Sequence, residues 1–322
     1  MKLSIIIPVY NVEPYVGKTL ASIFDTTASM ADFEVIVVND GTKDGSMNVV
    51  RQFADRPNLI ILEQENQGLS VARMKGLSVA SGEYVWFVDS DDYLMEDGVV
   101  KVLRLLEERP GAEVLRFPLM CIYDDGSRDG HMDHPVEKEV VADGRTIVRD
   151  MGLEVVTCQR YVIRRFLFSD PRLFFPEGLL FEDVYFGAVL VTIAKEIDVL
   201  PDPVYIYRYR TGSIMRSLDV RSSYDMVAVH KMVMQFKEGA VDPSDCPWFE
   251  RYIFCHLKFA YTRIKHQYQS REFKRFVRSK GLYVWRSWNR ALLDVSWKRI
   301  VRRLFFCEMP GMYMRLCGNS AS

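Results

Sequence analysis

The sequence offers no framework of cysteines. Its six, Cys121, Cys158, Cys246, Cys255, Cys307 and Cys317, are scattered without a close CxxC pair among 322 residues. A chain of this size does not need covalent staples, so a reduced compartment is the simplest reading. Long apolar runs are missing too, and nothing approaches the ~20 residues that cross a bilayer. The chain opens on Leu3-Ser4-Ile5-Ile6-Ile7, which reads as a strand. The basic region, apolar region and small-residue cleavage site of a signal peptide are not there. From these absences a cytoplasmic protein is expected, with contact to the inner face of a membrane left open. No internal repeat or low-complexity tract occurs.

Acids are scarce at one end. Residues 251–322 carry 3 Asp plus Glu against 16 Lys plus Arg, so the first 250 residues carry 40 against 26. The net charge of −1 therefore conceals two regions suited to different partners. No recognised nucleic-acid motif accompanies the basic end, which argues against nucleic acid as the partner. Within Asn289 to Phe306, Leu293, Trp297, Ile300, Val301 and Leu304 follow helical spacing, while Arg290, Lys298, Arg299, Arg302 and Arg303 take other positions. Two readings stand: an interfacial helix on an anionic membrane, or a helix packed on the rest of the protein with a solvated charged face. The aromatics Trp285, Trp288, Trp297, Phe305 and Phe306 favour the membrane.

What is present is a normal core, with 48% hydrophobic residues, and a regular alternation of strand and helix signals. Strands are expected at Leu3 to Ile7 (ended by Pro8), Glu34 to Val38, Leu59 to Leu62 and Tyr84 to Val88. Helices are expected at Val16 to Phe24, Met47 to Ala54, Leu69 to Ala80 and Gly98 to Glu108. This pattern implies an α/β fold, a mostly parallel sheet with helices on both faces. Beyond a strand near Val114 to Phe117 comes a polar stretch, Asp124 to Glu139, read as a mobile loop or hairpin. A mixed region follows to Tyr209, and from about Ser222 the reading is helical. The expected organisation is one domain over residues 1–220, with halves of about 1–112 and 113–220, followed by a helical, basic region over 221–322.

Polar residues gather where the strands end. After the first strand come Pro8, Val9, Tyr10 and Asn11; after the second, Asn39, Asp40, Gly41 and Thr42. A ring such as Tyr10 can stack on a base, and a carboxylate such as Asp40 can accept a hydrogen bond from a base or ribose. Asn66-Gln67-Gly68 then turns into a helix that carries Arg73, a cation near where phosphates would sit. The apolar run Tyr84 to Val88 stops at Asp89-Ser90-Asp91-Asp92. Carboxylates separated by one residue at a strand end can converge on Mg²⁺ or Mn²⁺ together with substrate phosphates. Taken alone, the same residues could merely cap the next helix. Four such elements in register favour the metal-bound diphosphate.

In this order the motifs resemble the inverting family-two glycosyltransferases with the GT-A fold. Ser4 to Asn11 is similar to that family's opening strand and turn, Asn39 to Thr42 to its Asp-Asp-Gly-Ser element, and Asn66 to Gly76 to its Asn-x-Gly…Ala-Arg-x-x-Gly element. Asp89-Ser90-Asp91 is similar to its Asp-x-Asp metal motif, and Glu182-Asp183 to its Glu-Asp catalytic element. The resemblance covers residues 3 to 215. It implies a Rossmann-like GT-A domain in which Tyr10 stacks on the base, Asp40 accepts from it and Arg73 helps hold the nucleotide. Asp89 would face ribose or metal, and Asp91 would bind the divalent cation. Pro8, Asn11, Asn66, Gly68 and Ser90 are further donor-site candidates. The sequence departs at Asn39 and Thr42, where the family often has Asp and Ser.

The same resemblance makes Asp183 the general base, with Glu182 as the neighbour most easily confused with it. Inverting transfer needs one carboxylate on the face opposite the departing diphosphate. Read only as residues, the two acids could simply favour a helix N-terminus. Arg208, Arg210 and Ser213 are candidate diphosphate contacts, since a comparable segment closes over the donor in the family; an edge strand with a solvated basic face is the even alternative. Many GT-A enzymes add a late histidine ligand, but none lies in this segment, and His131 and His134 in the polar loop are given no metal role. The expected function is a metal-dependent hexosyltransferase or related enzyme, using a nucleotide-sugar donor, a uridine diphosphate sugar, and a glycan or lipid-linked acceptor, in polysaccharide or surface-glycan assembly. A nucleotidyltransferase and an inactive glycan-binding or assembly subunit are the alternatives.

Overall fold

The computed structural model describes residues 1–123, 128–131, 136–147, 156–210, 220–241 and 249. The chain divides into two compact units, Met1–Gly178 with Phe186–Ser213, and Leu179–Tyr185 with Ile214–Ser322.

The first unit is built on an eight-stranded sheet. In chain order its strands are β1 (Leu3–Val9), β2 (Phe33–Asp40), β3 (Leu59–Gln64), β4 (Tyr84–Phe87), β6 (Val114–Arg116), β9 (Val140–Ala142), β10 (Tyr161–Arg164) and β11 (Ile197–Val199), arranged 3-2-1-4-10-6-11-9. Six of the eight run the same way; β10 and β9 run against them. The expected mostly parallel α/β sheet is therefore present. A second sheet, in the order β5 (Tyr93–Leu94), β12 (Tyr205–Tyr209), β7 (Leu119–Tyr123), β8 (Arg128–His131), flanks the acids after β4. β12 lies between β5 and β7, so it is not an edge strand. The polar stretch after residue 123 contributes β8, antiparallel to β7, which makes that part a hairpin.

Strand alternation sorts the core. Odd positions of β1 and β2 and even positions of β4, including Ile5, Ile7, Val35, Val37 and Trp86, pack with helices α1 (Glu13–Phe24) and α4 (Gly98–Glu108). α1 starts well because Pro14 occupies its first turn beside Glu13, and it buries Val16, Leu20, Ile23 and Phe24. α4 buries Val99, Val102, Leu103 and Leu106, the spacing of one helical face. A short helix, α2 (Ser46–Val50), tightens into a 3-10 turn at Arg51–Phe53 where one longer helix was expected. Even positions of β1 and β2 face α3 (Leu69–Val79): a Cβ placed on Gly76 would lie 2.4 Å from Ile6 Cγ2 and 3.3 Å from Val38 Cγ2. Helices thus cover both faces.

β1 continues past Pro8, where it was expected to stop. Ile6 O accepts from Val88 N–H, so alternate residues of β1 turn their polar groups toward β4. Pro8 shares that orientation but lies beyond Phe87, where β4 has ended, and its missing N–H removes no ladder bond.

Helix α5 (Glu182–Ile193) begins in the second unit and continues in the first. In the first unit its Phe186 stacks on Phe175 at 4.1 Å, and both meet Phe87 edge-on. In the second unit, Leu180 N–H donates to Asp225 Oδ2 at 3.3 Å, and Tyr185 meets Phe236 of α6 (Val220–Ala240) edge-on. Among the described residues no helix is long and apolar enough to cross a membrane.

Candidate active site

Because β2, β1 and β4 are adjacent and parallel, the loops after their C-terminal ends share one edge of the sheet. The first two loops are stitched together. Asn11 has φ 52°, a left-handed backbone that Asn tolerates, and its N–H donates to Thr42 Oγ1 at 2.7 Å while its Oδ1 accepts from Lys43 N–H at 3.1 Å. Thr42 N–H in turn donates to Asn39 Oδ1 at 2.9 Å. Both departures from the family pattern thus keep working polar groups. Tyr10 is 42% exposed, which leaves its ring accessible.

Asp40 is buried and fully engaged. Its Oδ1 accepts from Gln64 Nε2 and Gln67 N–H, each at 2.8 Å, and its Oδ2 accepts from Gly68 N–H at 2.9 Å. Asp40 therefore anchors the turn that holds Asn66 and Gly68, and any base contact at its carboxylate must be shared with these donors. Gly68 needs no side chain for a second reason: its φ is 92°.

After β4 the acids converge. Among the described residues, Asp89, Asp91 and Asp92 are the group of three whose ligand atoms all lie within 4.8 Å of one another. Asp89 Oδ1 accepts from Arg73 Nη2 at 2.9 Å, and its Oδ2 accepts from Gln159 Nε2. Asp91 Oδ2 accepts from Arg210 Nε at 2.6 Å. Asp92 is enclosed: Oδ2 accepts from the Tyr205 hydroxyl at 2.7 Å, and Oδ1 from Arg208 N–H at 2.8 Å. The Tyr205 hydroxyl also accepts from Asp89 N–H, and Thr19 Oγ1 bonds the backbone oxygens of Ser90 and Asp92. Ser90 thus contributes main chain to a turn tied down from α1.

Burial and crowding set the charge. Desolvation raises the Asp91 pKa, the Asp89 charge adds to this, and Arg210 opposes it. Burial raises Asp92 well above the carboxylate range, with Asp91 and Asp89 adding to the effect. Asp89 and Asp91 side chains remain 22% and 25% exposed, whereas Asp92 is 2% exposed. Only the first two can reach a ligand. Hard oxygens crowded against one another suit a small divalent cation; in this structure the guanidinium groups of Arg73 and Arg210 supply the counter-charge.

The remaining candidates divide. Arg73 is 1% exposed, lies 4.9 Å over the Phe175 ring and bonds Asp89. Arg208 and Arg210 each sit 5.0 Å over the Tyr15 ring, and Arg208 lies 5.1 Å from that of Tyr93. Pro8 is a strand residue. Glu182 and Asp183 belong to the second unit, where they open α5. Ser213 and the basic stretch Asn289 to Phe306 lie outside the described residues, as does His134. Gln159, Tyr205 and Thr19 escaped the sequence reading as site residues. Gln159 sits in a 3-10 turn whose backbone oxygen accepts from Trp86 Nε1 at 2.8 Å, and no local motif announces it.

This chain belongs to Glycosyl transferase family 2, whose model matches residues 4–168. It is 32% identical over 223 residues to glycosyltransferase GlyA of Streptococcus pneumoniae, covering 67% of this chain and 32% of GlyA. To the poly(ribitol-phosphate) β-N-acetylglucosaminyltransferase TarS of Staphylococcus aureus it is 29% identical over 237 residues, covering 72% of this chain and 40% of TarS. The crystal structure of S. aureus TarS 1–349 in complex with UDP-GlcNAc matches with a TM-score of 0.72 and 24% identity, over 85% of this chain and 78% of that one. That likeness is one of fold, and the fold is GT-A. The chain spans about a third of GlyA and two fifths of TarS.

Proposed function

We propose that this chain is an inverting glycosyltransferase that moves a sugar from a uridine diphosphate donor to a hydroxyl of a glycan or lipid-linked acceptor at a cell-surface polymer. The observation that carries the reading is the partly exposed pair Asp89 and Asp91, crowded together at the end of β4 in a chain of this family. UDP-GlcNAc, bound by TarS in its crystal structure, is the first donor to try.

In this reading Tyr10 stacks on the base, Asp40 shapes the turn that receives it, and Arg73 fixes Asp89. Arg208 and Arg210 face the diphosphate. Asp89 and Asp91 would hold a divalent cation, which would supply Lewis-acid stabilisation of charge on the leaving diphosphate. Asp183 takes the proton from the acceptor hydroxyl as that oxygen attacks the anomeric carbon. The basic region from residue 251 attracts the protein to an anionic membrane surface, as its charge and aromatics suggest.

Release of UDP from a panel of UDP-sugars, with surface glycans as acceptors, tests the function. Asp183→Asn is expected to lose on the order of 10²-fold or more in turnover while still binding UDP. Turnover unchanged in that variant would remove Asp183 from the role. Pyrophosphate released from a nucleoside triphosphate and a sugar phosphate would make the protein a nucleotidyltransferase instead.

A further inference from the structure

We infer that Arg210 stands in for the metal on Asp91 in the free protein and moves to the donor's diphosphate when metal and donor bind. The inference rests on the function proposed above. Its geometric basis is the ion pair from Arg210 Nε to Asp91 Oδ2 at 2.6 Å, on an acid that the proposed cation would need.

The two guanidinium groups at the cluster are held differently. Arg73 is enclosed, packed over Phe175 and bonded to Asp89. Arg210 remains 19% exposed, with Tyr15 beneath it at 5.0 Å. Arg73 is therefore a fixed counter-charge, and Arg210 is one that can leave. Its departure needs no backbone movement at Arg208, because Arg208 N–H and the Tyr205 hydroxyl tie β12 to Asp92. The exchange is a swing of one side chain. A cation on Asp91 repels the guanidinium, and a diphosphate offers it a new planar, bidentate partner of the kind it fits best. Metal alone has to displace Arg210 without giving it a partner; metal with nucleotide does both.

The test is Mn²⁺ binding to the full chain, followed by electron paramagnetic resonance, with and without UDP. Removing one partly screened charge from the cluster should tighten nucleotide-free Mn²⁺ binding roughly threefold or more in Arg210→Gln. The gain in Mn²⁺ affinity that UDP brings to the wild type should shrink in the same variant. Arg210→Lys keeps the charge but loses the fork, and is expected between the two; it carries the test if Arg210→Gln does not fold. Mn²⁺ affinity in either variant equal to or below that of the wild type overturns the inference while leaving the proposed function intact. So does a UDP-linked gain that Arg210→Gln leaves unchanged. No Mn²⁺ binding to any of the proteins overturns the metal-dependent reading and this inference together.

Discussion

Asp92 stands in one run with Asp89 and Asp91 but serves the fold. Both of its oxygens are taken, by the Tyr205 hydroxyl and by Arg208 N–H, in a place closed to solvent. Replacing it by alanine leaves two buried donors without an acceptor, each costing about 1–3 kcal/mol. Asp92→Ala should therefore lose about 2–5 kcal/mol in urea unfolding, and Tyr205→Phe about half as much. If Asp92→Ala keeps wild-type stability and loses only Mn²⁺ binding, Asp92 is a ligand and the strap is not needed. Asp44 gives a prediction in pH. Burial works to raise its carboxyl, but hydrogen bonds from Ser46, Glu13 N–H and Thr42 prevail and hold it at about 2, below the ordinary 3.8. A folded-state value below the unfolded one stabilises at higher pH, so this contribution is complete above about pH 4 and is lost as pH falls toward 2. In Asp44→Asn the acid unfolding limb should be shallower across that window.

The close approach of α3 to β1 depends on one missing side chain. At Gly76 a methyl group would meet Ile6 Cγ2 at 2.4 Å, in an interior with little room to give. Gly76→Ala is expected to cost about 1–3 kcal/mol of stability, with partial recovery in the double variant Gly76→Ala with Ile6→Val, read by thermal unfolding. A neutral Gly76→Ala would mean that the helix can lift off the sheet freely. The elements most legible from sequence were those buried on both faces. β1, β2 and β4 are near-continuous apolar runs, and their acids and amides emerge at strand ends where a ligand site forms. β5, at two residues, carries too little pattern to be read. Gln159 was illegible for another reason: its bond to Asp89 spans 70 positions and follows from β10 entering the sheet antiparallel to β4. Arg73 was read as a nucleotide contact because a cation after a glycine turn so often is one; its bond to Asp89, sixteen positions on, had no local signal.

On the scale of the whole molecule, the charge divides at about residue 250, and the basic part should show it in solution. Liposomes rich in anionic lipid should retain the full chain at low salt and release it as salt rises, since exposed charges are screened within about 10 Å at 0.1 M. Retention that is absent at low salt would leave the basic region a purely structural role. The strap on Asp92 also has a consequence for the order in which the protein becomes competent. The acidic turn and the strand that clamps it are 113 residues apart at the Tyr205–Asp92 bond, and contacts of such separation form late, after the intervening chain has been made and brought back. Until then Asp91 lacks its counter-ion Arg210, which follows β12, and Asp92 lacks its donors, the Tyr205 hydroxyl and Arg208 N–H. A nascent chain released before Tyr205 would carry every acid of the cluster and have side-chain partners in place for Asp89 alone.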